Sequence, residues 1–331
     1  MDFIYLINRL TDMNYSLFFN KLDSLQKKTG MNKLYLLWDM LNCAVKYGAG
    51  YMDYDLFEMY SLTPLQRDTY ITRGRNNALV RKYNDPKFVH FFDNKAEFYD
   101  TFSSFLHREW ISLNADKEGV LSFIQNRDAF IAKPVTGSCG KGVEKIVTSN
   151  YTDPQSIYDK LSNIGQPYLL EDVIIQHPQI KNIYPEAINT LRVVTMRCED
   201  KPEIVCTYFR IGNDSHYVDN FNSGGMVAPV DKKTGVVSDK AITKDKMCYA
   251  AHPSSGAAIE GFAFPFWKEA MDMVCRAAQV VPQIGYIGWD VAFTPEGPCL
   301  VEGNRFPGHD IYQLPAHTPD KHGIYENFLL E

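Results

Sequence analysis

The chain has 331 residues, with 34 Lys and Arg against 40 Asp and Glu, and a hydrophobic fraction of 45%. These values are ordinary for a globular protein, so they exclude a disordered, collagen-like or coiled-coil chain, and the length predicts about two lobes. The formal net charge of −6 argues against a protein that works by neutralising nucleic-acid phosphates, but it leaves room for a local basic pocket that binds a phosphorylated small molecule.

The first ninety or so residues have a helical pattern. Apolar residues recur at three- and four-residue spacing from Leu17 to Leu25 and again from Leu34 to Val45. Thr63 followed by Pro64 predicts a helix N-cap and a first-turn proline. A further helix is expected to begin at Asp93. It would carry Phe98, Phe102 and Phe105 on one side.

From about residue 129 the pattern changes to short, β-branched and apolar runs that predict strands. Two helices interrupt them, Pro154–Ile164 and an amphipathic one from Trp267 to Val281. This order predicts an α+β protein with largely antiparallel sheets and a helical N-terminal region. The expected strands are Ala129–Pro134, Glu144–Thr148, Tyr168–Ile174, Thr190–Cys198, Ile204–Ile211, Gly224–Val230, Tyr286–Phe293 and Pro298–Glu302.

The cysteines and the N-terminus bear on the cellular compartment. Seven cysteines occur without a CxxC pair, which is typical of reduced thiols and not of a disulfide framework or a zinc site. The start, MDFIYLINRL, lacks the basic stretch of a signal peptide, and no run reaches the ~18 apolar residues that span a bilayer. We therefore expect a cytoplasmic protein with no transmembrane segment.

A glycine-rich loop follows the first predicted strand. Glycines let backbone N–H groups approach an anion closely, and lysines add positive charge. The spacing is not that of a Walker A loop, because Val135 takes the first glycine position, nor of a Rossmann fingerprint, because a strand follows the loop. It indicates either a hairpin over phosphates or an ordinary glycine-rich turn. The residues concerned are Lys133, Gly137, Ser138, Gly140, Lys141 and Gly142.

An acidic hairpin lies near the C-terminus, in IGWDVAFTPEGPCLVEGNRF. A turn centred on Glu296 places Asp290 opposite Glu302, and the pleat puts Asn304 on the same face. Two carboxylates facing each other are unfavourable unless a cation lies between them, and oxygen ligands suit Mg²⁺. A solvated acidic edge is the alternative. Trp289, Val291, Phe293 and Val301 are expected on the opposite face, in the core.

Together, Lys133, the glycine loop and the Asp290, Glu302 and Asn304 array resemble the ATP-grasp superfamily. Its members hold ATP between two α+β lobes, with the phosphates under a glycine-rich hairpin and two Mg²⁺ ions on an Asp/Glu/Asn set. EDVIIQHP, NTLRVVT and FNSGGMVAPVD look most like the sugar-transfer-associated ATP-grasp proteins. The resemblance covers roughly residues 90–315 and implies that fold, with ATP and Mg²⁺ as cofactors.

The resemblance also implies roles for individual residues at the nucleotide. Lys95, in FFDNKAEF, and Lys133 would bind its phosphates, and Glu171 would meet the adenine edge together with the backbone of Asp172 and Val173. Lys133 and Arg192 would be the catalytic pair. Gln176 and His177 stand where many members carry an acidic ribose-binding residue.

Arg192 would lie near the γ-phosphate, with Asn189 beside it. From the residues alone, a guanidinium in an apolar strand needs an anionic partner, which could be phosphate or a structural aspartate. The loop before Gly224 and Gly225 could contact substrate or could be a plain connection. Further candidate acceptor contacts are Arg210, Arg305, His309 and Asp310.

The resemblance implies an ATP-dependent carboxylate–amine ligase that works through an acyl phosphate, with small-molecule substrates and a setting of cell-surface polysaccharide synthesis. A kinase on the same scaffold, with Asp219 or Asp310 as its base, and a non-catalytic nucleotide-binding module are the alternatives. The expected divisions are a helical region, 1–90, a small lobe with the glycine loop, 91–172, and a large lobe with the metal site, 173–331. The sequence leaves the oligomeric state open.

Overall fold

The computed structural model describes residues 14–137, 140–213, 221 and 224–329. It divides into two compact units. The first comprises the described residues up to Lys82 together with those from Gly308 onward, and the second is Tyr83–Pro307.

This division differs from the expected 173–331 lobe, because the residues after Pro307 join the N-terminal helices. Side-chain bonds explain why. Gln313 donates to the carbonyl of Ile71 at 2.5 Å and accepts from its N–H at 3.0 Å, and Tyr70 and Thr318 share a hydrogen bond of 3.2 Å. These groups are buried, so each bond satisfies polar atoms that would otherwise lack a partner.

The helical unit begins with an α-hairpin, in which the side chains of Asn14 and Asn32 cap the first and second helices. Gly30 and Gly48 end these helices in the left-handed conformation that glycine adopts readily. Thr63 and Pro64 start a later helix, as expected. The helices up to residue 83 are α1 (Tyr15–Thr29), α2 (Lys33–Tyr47), α3 (Tyr51–Leu56), α4 (Pro64–Asp68) and α5 (Arg73–Tyr83).

A buried ion pair stabilises this unit. Arg67 donates to both oxygens of Asp39 at 2.7 Å, and Tyr54 donates to the same carboxylate at 2.7 Å. The pair is fully hydrogen-bonded, which is the condition under which buried charges are tolerated. Around it lies an apolar core that includes Leu22, Leu36 and other residues of α1–α3.

The second unit contains two antiparallel sheets with helices on them. The four-stranded sheet has the order β1-β4-β2-β3 and the seven-stranded sheet the order β11-β10-β5-β6-β7-β8-β9. Its helices are α6 (His90–Asp93), α7 (Lys95–Thr101), α8 (Lys117–Gln125), α9 (Pro154–Ser162), α10 (Pro178–Lys181) and α11 (Trp267–Ala277). Its strands are β1 (Trp110–Ser112), β2 (Ala129–Pro134), β3 (Glu144–Val147), β4 (Tyr168–Asp172), β5 (Thr190–Cys198), β6 (Lys201–Ile211), β7 (Met226–Pro229), β8 (Ala241–Thr243), β9 (Cys248–Tyr249), β10 (Tyr286–Thr294) and β11 (Gly297–Asn304).

The predicted strands are therefore present, and β2 and β5 have the expected bounds. The helix expected from Asp93 begins instead at Lys95, because Asn94 is its N-cap and accepts the N–H groups of Ala96 and Glu97. It ends at Thr101, so two of the three phenylalanines expected on it lie beyond its end. Phe102 still packs on the indole of Trp289, with 5.5 Å between ring centroids.

Two chain-wide expectations can be compared with the described residues. Cys43, Cys206, Cys248, Cys275 and Cys299 are free thiols, and Cys139 lies outside the described part. No helix in the described ranges is long and apolar enough to cross a membrane.

Candidate active site

The acidic hairpin has the predicted register, with Asp290 of β10 opposite Glu302 of β11. Just beyond this pair the register shifts, because Val291 pairs with Leu300 and Val301 is the extra residue of a β-bulge. The expectation that Val301 lies in the core is therefore wrong. Leu300 takes that place, and Val301 is only half-buried.

Asp290 is held by two arginines. Nε of Arg192 donates to its Oδ1 at 2.5 Å and Nη2 to its Oδ2 at 3.1 Å, while Arg210 donates to Oδ2 at 2.7 Å. Burial alone would raise the pKa of Asp290, but Arg192 and Arg210 outweigh it and lower that pKa to about 2. The anionic partner that Arg192 requires is thus the structural aspartate, one of the two possibilities left open by the sequence.

Arg192 reaches Asp290 over a glycine. A Cβ built on Gly288 would lie 3.3 Å from both Cδ and Nη1 of Arg192 and 3.4 Å from the ring of Pro307. Gly288 is two residues before Asp290 and therefore on the same face of β10. The absence of a side chain at this position leaves the guanidinium its path along the strand.

Glu302 and Asn304 also lie together, as predicted, with the Asn304 amide donating to Glu302 at 3.1 Å. Burial, and then the charge of Asp290, raises the pKa of Glu302. Arg210 and Arg192 only partly offset this rise, so a further cation would stabilise the ionised form, and the oxygen donors of Glu302 and Asn304 suit a magnesium ion. Asp290 fits less directly, because both of its oxygens already accept hydrogen bonds from arginines. Among the described residues no cluster of three or more His, Cys, Asp and Glu side chains forms a metal site.

A second charged cluster lies on the four-stranded sheet, around Lys133 at the end of β2. Lys133 forms an ion pair with Glu171 of β4 at 2.6 Å, and its ammonium also lies 2.5 Å from the hydroxyl of Tyr99. Arg108 donates to Glu171 at 2.6 Å and to the Tyr99 oxygen at 2.5 Å. Tyr99 donates to Glu171, so the four side chains form one closed network.

The network carries an excess of positive charge. Burial alone would raise the pKa of Glu171, but Lys133 and Arg108 outweigh it and bring that pKa to about 2. Burial raises the pKa of Tyr99 well above its usual value, so the phenol stays neutral. Two cations therefore share one carboxylate, and the buried cluster has a net charge of about +1, which favours an anionic ligand.

Lys95, at the start of α7, points to the glycine loop. Its ammonium donates to the carbonyl of Gly137 at 2.7 Å, and its N–H donates to Val135 at 2.9 Å. Burial lowers the pKa of Lys95, and the charge of Glu302 opposes that change. Burial likewise lowers the pKa of Lys133, and the charge of Glu302 is among those that oppose that change. Lys95 of α7 and Lys133 of β2 thus lie within electrostatic range of the carboxylate on β11.

Close packing fixes α7 against the acidic hairpin. Gly303 lies between Glu302 and Asn304, and its absent side chain leaves room for two phenylalanine rings. A Cβ there would be 3.0 Å from both Phe92 and Phe98. The glycine in the Glu-Gly-Asn sequence therefore lets the Lys95 helix approach the strand that carries the predicted metal ligands.

The glycine loop connects β2 and β3 in an antiparallel hairpin, as the sequence predicted. Gly137, Gly140 and Gly142 all have positive φ, and a Cβ on Gly142 would lie 2.8 Å from the Pro134 ring. Glycine is therefore required by the backbone here. Lys141 is exposed at the turn, and Ser138 lies outside the described residues.

Strand β4 agrees only in part with the expected adenine contacts. Glu171 is buried in the Lys133 network, so its carboxylate already has three partners. The N–H of Asp172 donates to the carbonyl of Glu109 at 3.0 Å, which commits it to the pairing of β1 with β4. Val173 is half-buried just after β4. Of the three expected contacts, it alone belongs neither to the Lys133 network nor to the pairing of β1 with β4.

Asn189 has a structural role that the sequence did not predict. Its amide donates to the carbonyl of Tyr184 at 2.7 Å and to Gln176 at 3.1 Å, and its oxygen accepts the N–H of Gly212 at 3.0 Å. Gln176 donates in turn to Ala187 at 2.6 Å. Both Asn189 and Gln176 thus fasten the loop before β5, and the contact of Asn189 with substrate stays a prediction.

The remaining candidates are spread over the chain. Arg305 donates to Asp93 at 2.7 Å, which ties the residue after β11 to the end of α6. Gly224 is exposed and Gly225 buried just before β7, and Asp219 lies outside the described residues. His309 and Asp310 belong to the helical unit, where His309 lies 2.9 Å from Asp53.

Sequence reasoning missed Tyr99 and Arg108. Tyr99 is four residues after Lys95 in α7, so helical spacing could have placed both on one face. Arg108 has no such signal, because its partner Glu171 is 63 residues away in the chain. Arg108 also donates to the carbonyl of Leu300 at 2.7 Å and so joins the small sheet to β11.

The two antiparallel sheets, the glycine-rich hairpin and the acidic hairpin agree with the ATP-grasp fold that the sequence resemblance implied. The sequence matches the family described as Sugar-transfer associated ATP-grasp over residues 74–322. Since this match takes in well over half of the chain, the protein belongs to that family, and the resemblance stated from the sequence is confirmed. No curated protein sequence matches the chain.

Several solved structures are similar to parts of this chain. ATP-grasp ligase PsnB complexed with a phosphomimetic variant of minimal precursor, Mg and ADP has 15% identity and a TM-score of 0.40, over 68% of this chain and 53% of that one. The ADP complex of purK, N5-carboxyaminoimidazole ribonucleotide synthetase, has 10% identity and a TM-score of 0.46, over 73% of this chain and 57% of that one. D-alanyl-alanine synthetase A from Vibrio cholerae O1 biovar eltor has 12% identity and a TM-score of 0.45, over 72% of this chain and 63% of that one. The chain spans less than two thirds of each of these proteins, and similarity at this level assigns no substrate.

Proposed function

We propose that this protein is an ATP- and Mg²⁺-dependent ligase that joins a carboxylate to an amine. The observation that carries the proposal is the pair of charged clusters in one unit. A buried, net-positive group around Lys133 lies on the four-stranded sheet, and Glu302 with Asn304 lies on β11 of the other sheet, within electrostatic range of Lys95 and Lys133. Arg108 of the first cluster also bonds to the carbonyl of Leu300 on β11.

In this proposal Lys95, Lys133 and the glycine-loop amides hold the nucleotide phosphates. Their charge favours the triphosphate, and the rigid network around Lys133 fixes its ammonium before the ligand arrives, which is the arrangement that stabilises developing charge best. Mg²⁺ would be held by Glu302 and Asn304, next to Asp290, and would neutralise phosphate charge. These groups position and neutralise the reactants, as phosphoryl transfer requires.

Arg192 and Arg210 supply the positive charge at the transferring group. A substrate carboxylate oxygen would attack the γ-phosphorus, the bond to ADP would break, and an acyl phosphate would form. An amine nitrogen would then attack the acyl carbon, lose its proton and displace phosphate. The bond between Arg192 and Asp290 keeps the guanidinium in place for this step.

The proposed setting is the assembly of cell-surface polysaccharide, with an amino acid or amine joined to a sugar acid or a related carboxylate. It rests on the description of the family. We propose the cytoplasm as its location, where ATP is available.

The test is a coupled assay with ATP, Mg²⁺ and pools of amines and sugar acids, in which ADP and inorganic phosphate are followed. The proposal expects phosphate release that requires both a carboxylate and an amine. A phosphorylated product without free phosphate would indicate a kinase instead. ATP binding without turnover under all pools would contradict both enzymatic alternatives.

A further inference from the structure

Helix α2 has two apolar faces, on opposite sides. Leu36, Met40, Cys43 and Tyr47 are buried on one of them. At 3.6 residues per turn, the opposite face carries Leu34, Trp38, Leu41 and Val45. We call these four residues, with the neighbouring Tyr35, the outer stripe of α2.

The outer stripe is exposed. Leu34 keeps 76% of its surface accessible, Trp38 61% and Val45 57%, and Tyr35 and Leu41 keep nearly half. A surface helix of a globular protein normally presents polar residues on this side. Contiguous exposed apolar surface of this kind marks an interaction site more often than chance.

Charge distinguishes among the possible occupants. Residues 14–47 contain five lysines and two aspartates, a net +3 in a chain of −6. Lys27 and Lys46 are exposed, and among the described residues neither forms an ion pair. The carboxylates near the hairpin are neutralised, since Asp23 pairs with Lys33 and Asp55 with Lys21.

The basic residues lie at both ends of the outer stripe. Lys46 follows Val45 directly, and Lys33 precedes Leu34. Lys27 is in the last turn of α1, which a three-residue turn joins to the start of α2. The stripe itself contains no charged side chain. Aromatic and aliphatic side chains between lysines are the composition of a helix that lies in a membrane interface.

We propose that the outer stripe of α2 docks the protein on an anionic lipid surface. Trp38, Leu34 and Leu41 would enter the headgroup region, and Lys27 and Lys46 would bind the acidic headgroups. The contact is peripheral and reversible, because five side chains bury far less area than a spanning helix. It would keep the enzyme at the surface where a lipid-linked or membrane-bound acceptor is found, and this last consequence alone rests on the proposed function.

The test is flotation of the full chain with vesicles of phosphatidylcholine alone and of phosphatidylcholine with phosphatidylglycerol. The wild type should float with the anionic vesicles only, and binding should weaken as salt is raised. Trp38→Ser should bind about tenfold more weakly or worse, because it removes a large apolar side chain from the interface. Its fold should be unchanged, since the indole is exposed, and thermal unfolding checks this.

Two matched variants control for exposure and charge. Leu65→Ser removes another exposed apolar residue, 82% accessible, from α4 and should bind like the wild type. Lys27→Glu with Lys46→Glu should weaken binding by about fivefold or more per lysine, whereas Lys268→Glu on α11 should not. Equal binding to neutral and anionic vesicles would overturn the proposal.

Other occupants of the outer stripe give different results, and each would also overturn it. If a second copy covers the stripe, light scattering will show a dimer that Trp38→Ser dissociates, and no vesicles will bind. If residues 1–13 cover it, the wild type will not float and a chain lacking them will. A monomer that binds no vesicles at all would equally refute the docking surface.

Discussion

The two charged clusters of the second unit are built on opposite plans. Around Lys133, two cations and a neutral phenol share one carboxylate, so the cluster has excess positive charge. Around Asp290, two arginines share one carboxylate and a second carboxylate, Glu302, stands beside it. In both, one carboxylic acid has a pKa of about 2, but only the second cluster has a carboxylic acid whose pKa is raised.

This difference bears on which ligand each cluster favours. The Lys133 cluster is a closed protein network whose excess positive charge favours a negative ligand. In the Asp290 cluster two arginines and two carboxylates balance when Glu302 is ionised, but burial and the charge of Asp290 oppose that ionisation. Both oxygens of Asp290 are bonded to arginines, so Glu302 is the carboxylate that a metal ion would compensate most.

The largest expected effect comes from Glu302→Gln. Removing the charge should lower ATP-dependent turnover by about 100- to 1,000-fold, as for the loss of one strong electrostatic contact in a transition state. Because burial already disfavours the ionised form, the free energy of unfolding should be almost unchanged. The control is Glu296→Gln in the exposed turn of the same hairpin. Unchanged turnover in the Glu302 variant would remove the metal assignment.

Asp290→Asn, unlike Glu302→Gln, should lower the free energy of unfolding. It removes the charge of the carboxylate that both Arg192 and Arg210 bond to, and breaking a buried ion pair costs about 3–5 kcal/mol of stability. Urea unfolding of the two variants measures the contrast directly. If Asp290→Asn and Glu302→Gln lose the same stability, the two carboxylates have equivalent roles in the fold.

The sequence predicted one side of this comparison well. Alternation in the two last strands and a turn at Glu296 sufficed to place Asp290 opposite Glu302, because both residues belong to one local hairpin. The bulge at Val301 escaped prediction, since one extra residue leaves no mark on the alternation until the partner strand is known.

The other side was predicted only by its lysines. Tyr99 and Glu171 are 72 residues apart, and Arg108 lies outside any regular element, so no periodicity relates them. The structural bonds of Asn189 escaped prediction for a related reason. Its partners Tyr184 and Gln176 fasten a loop whose path depends on the packed structure, and a polar residue before a strand resembles a substrate contact equally well.

The pH dependence of stability tests the Lys133 cluster by itself. The folded pKa of Glu171, about 2, is below its ordinary value of 4.5. Its ionised form therefore contributes stability fully above about pH 4.5, and this contribution is lost as the pH falls towards 2. Glu171→Gln should flatten the fall in unfolding free energy over that range, by up to about 3 kcal/mol. If the unfolding free energy of the variant falls as steeply below pH 4.5 as that of the wild type, Glu171 is not held by the two cations.

The smallest effect is expected for Tyr99→Phe, which removes one oxygen from the same cluster. The loss of hydrogen bonds to Lys133, Arg108 and Glu171 should cost about 1–3 kcal/mol of stability, because these groups are buried. Lys133 keeps its ion pair but loses one of the two groups that orient its ammonium. The KM for ATP should therefore rise about fivefold with kcat nearly constant, the pattern of weakened ground-state binding. Tyr158→Phe, whose ring contacts Lys117 at the surface, is the matched control. A fall in kcat at constant KM would instead place Tyr99 in the transfer step, and the Lys133 cluster would then do more than bind the nucleotide.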